Sequence, residues 1–250
     1  MELIILGSGT AALQFDRGPS GYLLKNEKET FLIDSGTGTL LKCLKAGVSY
    51  QEIDRIFYSH LHPDHTIDLI PFLFATKYTP GFERKKPLHI YGPIGFNDFF
   101  QKFIDLFGRK MIDVPFEIHI RELAKDTIDF ELLTLSTDLM AHADNAIGYR
   151  FENKFGSIVY SGDTDMCSEI ISLAHKANIL ILECSFHDDH KMAGHLTPSE
   201  AGQIAQNAEV SKLVLTHIYP PFEADEYCRS AANQFNGKVV VAHDFMHLTI

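Results

Sequence analysis

Residues 59–65 read Ser59-His60-Leu61-His62-Pro63-Asp64-His65, which sets four metal-capable side chains within six positions. A core-forming helix or strand has no use for such a cluster. Imidazole and carboxylate together suit zinc, manganese or iron(II), and open catalytic centres are commonly built from them. A segment this dense divides naturally, two ligands to one cation and two to a neighbour. A histidine-rich surface turn is the simpler explanation, but the rest of the chain also supplies the ligands such a centre would still lack.

The flanks place the cluster between two regular elements. Ile53 to Tyr58 alternates and predicts a strand. Pro63 cannot donate a backbone hydrogen bond, and it biases Leu61 and His62 toward an extended or turn conformation. The apolar run 66–75 that follows predicts a helix, with Pro71 in its early part. A strand-to-helix junction is where α/β proteins place their chemistry.

Three further signals are weak singly. His142 and Asp144 follow the apolar run that starts at Phe130, Asp163 and Asp165 follow the short strand Gly156 to Tyr160, and His217 ends the β-branched run from Leu213. A histidine at a strand end is commonly a hydrogen-bonded structural residue, and Gly-Asp after a strand is commonly a turn. Taken together, each polar group lies at the end of an apolar strand, so all can converge on one sheet edge.

The order His60-x-His62-x-Asp64-His65, then His142, then Ser161-Gly162-Asp163-Thr164, then Thr216-His217 resembles the metallo-β-lactamase superfamily. Within it, the chain is most similar to the phosphodiesterase and ribonuclease Z branch. The likeness spans nearly the whole chain. Leu6-Gly7-Ser8-Gly9-Thr10-Ala11, the segment Gly18 to Leu24 and Leu32-Ile33-Asp34-Ser35-Gly36 are similar to the branch's first strands, and Val240 to Met246 to its last strand and turn. The resemblance implies one hydrolase domain over residues 1–250, of α/β class, folded as a four-layered αββα sandwich. It implies two divalent metal ions, zinc first with manganese or iron as alternatives. His60, His62 and His142 would hold the first ion, Asp64, His65 and His217 the second, and Asp163 would bridge them. Two cations about 3.5–4 Å apart can share and acidify a water that attacks phosphorus in line with the leaving oxygen. Asp64 could also orient that water. Asp34 and Asp68 are candidates to support the ligating imidazoles. Relatives in this branch are commonly dimers, so a homodimer is an open expectation.

The departing alkoxide needs a proton or a cation. Gly194-His195-Leu196-Thr197-Pro198-Ser199-Glu200 matches the position of the ribonuclease Z histidine motif, so His195 would serve as general acid or phosphate donor. The same segment also reads as a helix start, with Thr197 as N-cap, Pro198 at the first helical position and Glu200 closing a capping box. The two readings are compatible. Glu183 ends an apolar strand and could orient His195 or pair with the backbone. The remaining histidines read as structural or surface residues, His243 being the foremost exception. Gly7-Ser8-Gly9-Thr10 lacks the endings of a phosphate loop or dinucleotide fingerprint and reads as a tight turn.

Composition narrows the partners. Cys43, Cys167, Cys184 and Cys228 show no C-x-x-C spacing and read as reduced thiols of a cytoplasmic protein. The chain opens directly on the strand Glu2 to Leu6 without a basic n-region, and no run of eighteen apolar residues suggests a membrane span. A net charge of −11 disfavours a grip on long nucleic acid, which draws on a basic field. The basic loop Lys77 to Lys86 is either a solvated surface loop or a mobile lip that meets phosphate. Bacterial ribonuclease Z carries a long arm between the third-motif histidine and the bridging aspartate. Here His142 and Asp163 are 21 positions apart, room for a hairpin only.

The expected elements are strands at 2–6, 21–25, 30–34, 54–58 and 88–91, near 116–120 and 128–136, and at 146–151, 157–160, 179–183, 212–216 and 238–241. Helices are expected at 39–46, 67–76, 95–107, 167–175, 198–208 and 223–233. Strands interleaved with helices imply sheets covered by helices. The expected activity is phosphodiester hydrolysis of a small or short nucleotide-type substrate. A ribonuclease Z-type transfer RNA 3′ endonuclease and a thioester, lactone or sulfate ester hydrolase are the alternatives.

Overall fold

Apolar runs of four to seven residues, too short for core helices and rich in Ile, Leu, Val and Phe, form strands along the chain. A computed structural model describes residues 1–111 and 113–250. The first half gives β1 (Glu2–Gly7), β2 (Gly21–Lys25), β3 (Thr30–Ser35), β4 (Ile53–Phe57), β5 (Leu88–Pro93) and β6 (Ile118–Leu123). The second gives β7 (Thr127–Phe130), β8 (Leu133–Leu139), β9 (Ile147–Asn153), β10 (Gly156–Tyr160), β11 (Ile179–Glu183), β12 (Lys212–Thr216), β13 (Lys238–Val241) and β14 (His247–Thr249). One sheet runs in the order β14-β1-β2-β3-β4-β5-β6, the other β13-β12-β11-β10-β9-β8-β7. Each has an antiparallel part built from hairpins and a parallel part.

Parallel neighbours need crossovers. α1 (Thr39–Lys45), α2 (Pro63–Thr66) with α3 (Leu69–Tyr78), and α4 (Phe96–Phe107) link the parallel strands of the first sheet. α5 (Ser168–Leu173), α6 (Pro198–Asn207) and α7 (Ala224–Ala232) do so in the second. Alternation along each strand then sorts the side chains. Leu3, Ile5, Ile33 and Phe57 meet Leu135, Tyr149, Phe151, Ile158 and Ile181 between the sheets. Ile4, Leu6, Leu32 and Ile56 face Leu69, Phe72 and Phe100 of the helices outside. Val159, Leu180, Leu182 and Leu213 face Ile170, Ala201 and Ile204 on the other side. Both faces of the central strands are buried, which is why they read as continuous apolar runs. The result is helix, sheet, sheet, helix.

Some details depart from the sequence reading. The segment 128–136 is not one strand but parts of β7 and β8, with the chain reversing at Glu131 and Leu132. No Gly, Pro or Asn marks that reversal, so the alternation runs through it unbroken. The helix expected from 67 is preceded by the separate turn α2, and Pro71 falls in the first turn of α3, where a missing N–H costs nothing. β14 is three residues long and has too little pattern to read. The basic loop does not form a lip. Arg84 is buried and donates to the carbonyls of Ile53, Lys86 and Pro87, Lys86 pairs with Asp54, and Lys77 donates to Lys110 O. Arg84 and Lys86 are therefore tied to the starts of β4 and β5, whereas the histidine cluster follows the end of β4. No helix of the described residues is long and apolar enough to cross a membrane.

Asp244, unremarked in the sequence, fastens the loop after β1. It accepts from Ser8 N and Oγ at 2.9 Å and from Gly18 N at 3.0 Å, and it pairs with Lys42. Replacing Asp244 by Ala leaves these donors without an acceptor and is expected to cost roughly 1–3 kcal/mol. A urea unfolding midpoint within error of the unsubstituted protein would contradict that role.

Candidate metal centre

The ends of five strands converge. Asp34 lies near the end of β3, His60 and His62 follow β4, Asp163 follows β10, Glu183 ends β11 and His217 follows β12. Backbone conformation makes the convergence possible. Asp34 and His217 sit at φ of 50° and 55°, uncommon for residues other than glycine and maintained only where surrounding contacts enforce them. His217 N donates to Ser8 O at 3.0 Å, which is one such contact. Gly162, at φ 62°, precedes Asp163, and a Cβ there would come within 2.6 Å of Ser59 Cβ. Pro63 opens α2 after extended His62, and this single turn brings Asp64 and His65 inward.

The ring nitrogens and carboxylates face one another in two groups. In the first, His62 Nδ1 is 3.0 Å from His60 Nε2 and 3.3 Å from His142 Nε2. Asp163 Oδ2 stands 3.8 Å from His60 Nε2 and 3.7 Å from His142 Nε2. In the second, His65 Nε2 and His217 Nε2 are 3.3 Å apart, and Asp64 Oδ2 is 3.8 and 3.5 Å from them. Asp163 Oδ1 faces this pair at 3.4 and 3.5 Å. One carboxylate thus presents an oxygen to each group.

This donor set fits divalent cations. Asp163 Oδ1 is buried without any hydrogen-bond partner, a costly state for a carboxylate oxygen that a cation would relieve. The candidate ligand atoms of His60, His62, His142 and Asp163, and those of Asp64, His65 and His217, each lie within 4.8 Å of one another. The outward nitrogens are held by other groups. His65 Nδ1 donates to Asp34 Oδ2 at 2.8 Å and His142 Nδ1 to Gly194 O at 2.8 Å. His60 Nδ1 meets Ser59 Oγ at 3.0 Å, and His217 Nδ1 meets Ser185 Oγ at 3.0 Å. Such partners fix the tautomer that leaves the inward nitrogen free to ligate. Asp34 also accepts from Ser59 N, Ser59 Oγ and Tyr160 Oη. Asp68 does not support the imidazoles. It accepts from Gly38 N and Leu40 N and so holds the start of α1.

The electrostatics match. Burial alone would raise the Asp163 pKa, but His217, His65, His60 and His142 outweigh it and hold the carboxyl well below the usual range. Burial also opposes ionisation of Asp64, yet His217 and His65 keep its pKa low. His60 and His62 are pushed down by burial and by neighbouring imidazoles. For His65 burial works against protonation, but Asp163, Asp34 and Asp64 prevail and push it up to about 9.

His195 stands beside the cluster, its ring 4.8 Å from that of His142. Glu183 Oε1 accepts from His195 Nδ1 at 2.8 Å, and Ser185 Oγ lies 3.2 Å from the same nitrogen. Burial disfavours charge on His195, but Glu183 overrides it and raises the pKa. Glu183 also accepts from the backbones of Thr164, Ser185 and Leu196, so it both orients the ring and caps the surrounding loops. Thr197 and Glu200 form the capping box of α6 and leave His195 free.

Several contributors escaped the sequence reading. Ser59 and Ser185 hold imidazoles, and the Gly194 carbonyl holds His142. Asp165 accepts from Gly194 N and Lys191, and Lys191 donates to His195 O. Ser59 adjoins His60, Gly194 adjoins His195 and Asp165 lies two places after Asp163, so closeness to a motif was the signal that could have found them. His243 is exposed, its ring meets Asp244 O, and it takes no part in the cluster. The turn after β1 contributes Ser8 O rather than a phosphate cradle.

A family model described as a β-lactamase superfamily domain matches residues 29–218, more than half of the chain. Ribonuclease Z of Methanothermobacter thermautotrophicus is 28% identical, with 100% of this chain and 97% of that protein covered. The alignment has 303 positions and this chain 250 residues, so at least 53 positions of that relative face gaps. Among solved structures, the metallo-β-lactamase fold protein YhfI of Bacillus subtilis is 26% identical with a TM-score of 0.85, over 99% of this chain and 98% of its own. The short form of human tRNase Z is 26% identical with a TM-score of 0.81, over 100% and 99%. By its matched domain, its paired mixed sheets and its histidine and aspartate cluster, this chain belongs to the metallo-β-lactamase superfamily of hydrolases.

Proposed function

We propose that residues 1–250 form a single hydrolase domain that cleaves phosphodiesters, with a small or short nucleotide-type substrate. The observation that carries this reading is Asp163, which presents one oxygen to each of two imidazole groups while a further imidazole, His195, is held beside them by Glu183. His60, His62 and His142 would hold one divalent ion, Asp64, His65 and His217 a second, and Asp163 both. Zinc suits these donors first, and manganese or iron(II) also fit. Bound there, the two ions would acidify a water molecule and offset charge growing on the phosphoryl group.

The chain's own residues supply the rest. Asp64, half-buried and ionised, can accept a hydrogen bond from the attacking water and orient it. His195, whose protonated form Glu183 favours, can give its proton to the leaving oxygen. Four free cysteines agree with a cytoplasmic setting.

The named relatives favour a second reading, transfer RNA 3′ processing. Against it, β9 and β10 join His142 to Asp163 by a tight hairpin turning at Lys154 and Phe155, the extra positions of the Methanothermobacter ribonuclease Z are missing, and the net charge is −11. A thioester, lactone or sulfate ester hydrolase on the same scaffold is separated by assaying such esters beside bis-p-nitrophenyl phosphate.

Asp163→Ala and His60→Ala are each expected to abolish phosphodiester cleavage with an unchanged circular dichroism spectrum; retained turnover in either would contradict the assignment. His195→Ala should slow esters with poor leaving groups by roughly 10²–10⁴-fold and p-nitrophenyl esters far less. An equal effect on both classes would remove His195 as the acid. Because Glu183 raises the His195 pKa, Glu183→Gln should lower it and move the alkaline fall of kcat/KM to lower pH. Metal uptake has its own pH dependence. The proton on His65 must leave for a cation to bind, so apparent affinity should rise up to roughly tenfold per pH unit and level off above about 9. A flat profile in titration calorimetry across that range would contradict the His65 assignment.

A further inference from the structure

Next to His195 and His217 lies a cleft of about 620 Å³ that the residues of the metal centre do not fill. Its walls include Phe186, Tyr219, Phe222 and Tyr227, and its rim carries Glu223 and Glu226. Phe186 and Tyr219 stack at 4.9 Å with an interplanar angle of 9°, and both are half-buried. The His195 ring meets Phe186 edge-on at 5.6 Å, and the His217 ring meets Tyr219 at 6.0 Å. Arg17 stacks over Phe222 at 4.4 Å and holds that ring in place. Two of the cleft's walls thus touch the proposed proton donor and a candidate metal ligand.

We propose that this cleft binds the planar nucleobase of the substrate's leaving group. The assignment rests on the phosphodiesterase reading above. A leaving alcohol protonated by His195 must extend past that ring, and Phe186 is what it meets. The volume is ample for one nucleoside and lies in the range of small-molecule sites. Flat aromatic walls stack bases with little dependence on sequence. The lining holds no lysine or arginine; His187 faces Glu226 and Asp189, and Glu223 adds a further carboxylate, so the charge there disfavours further phosphates. The cleft therefore suits a single neutral base rather than a continuing polynucleotide. Carboxylates on the rim accept hydrogen bonds, which favours a base bearing an exocyclic amine.

Saturation-transfer NMR on the metal-loaded chain of residues 1–250 tests this with adenosine, inosine, ribose and choline, none of which carries phosphate. Adenosine should bind, inosine more weakly and ribose not at all. Tyr219→Ala and Phe186→Leu should each weaken adenosine about tenfold, the size of a lost base–aromatic stack, with circular dichroism and metal content unchanged. The proposal is overturned if adenosine fails to bind, if both variants bind it as well as the unsubstituted protein, or if choline alone binds. Hydrolysis of bis-p-nitrophenyl phosphate is measured in parallel. Hydrolysis without nucleoside binding sinks the cleft assignment and spares the phosphodiesterase reading, whereas absence of hydrolysis sinks both.

Discussion

A carboxylate almost wholly removed from water, with imidazoles on both sides, is the constraint on which the site turns. Asp163 is 3% exposed, and one of its oxygens has no hydrogen-bond partner. Burying such a group without positive charge nearby would cost several kcal/mol or force it to protonate. Four imidazoles keep it ionised instead. The inward nitrogens of these rings and of His62 in turn face one another at 3.0–3.3 Å, a convergence of lone pairs that suits ligands around a shared cation.

The fold carries the burden of this arrangement at the strand ends. Asp34 and His217 adopt left-handed backbone conformations that a free chain would avoid. Each is locked from the side. Asp34 accepts from Ser59, His65 and Tyr160, and His217 is held through Ser8 and Ser185. Ser8 is itself fixed by Asp244, so the C-terminal turn reaches the centre through two hydrogen-bonded steps. A similar chain runs from Lys191 and Asp165 through Gly194 to His142. Local strain at the site is thus balanced by contacts drawn from distant parts of the chain.

Much of this was legible in the residues. The central strands are buried on both faces, so Leu213 to Thr216 and Ile179 to Glu183 read as apolar runs ending in polar groups, and those endings are where the site lies. The cluster from His60 to His65 was visible because four candidate ligands share one loop. What stayed hidden was long-range or unmarked. The hairpin between β7 and β8 turns without a turn residue. Asp68 and Asp34 look alike in sequence, yet one caps a helix and the other holds His65, a difference only tertiary packing decides. The cations of the basic loop found carbonyls and Asp54 rather than the site, because charge alone does not say which end of a sheet a loop will occupy.

The most direct test is anomalous scattering from crystals of the protein grown with a divalent metal. Two peaks about 3.5–4 Å apart are expected. One should lie among His60, His62 and His142, the other among Asp64, His65 and His217, with an oxygen of Asp163 turned to each. A lone peak away from Asp163, or none among these residues at saturating metal, would contradict the dinuclear centre.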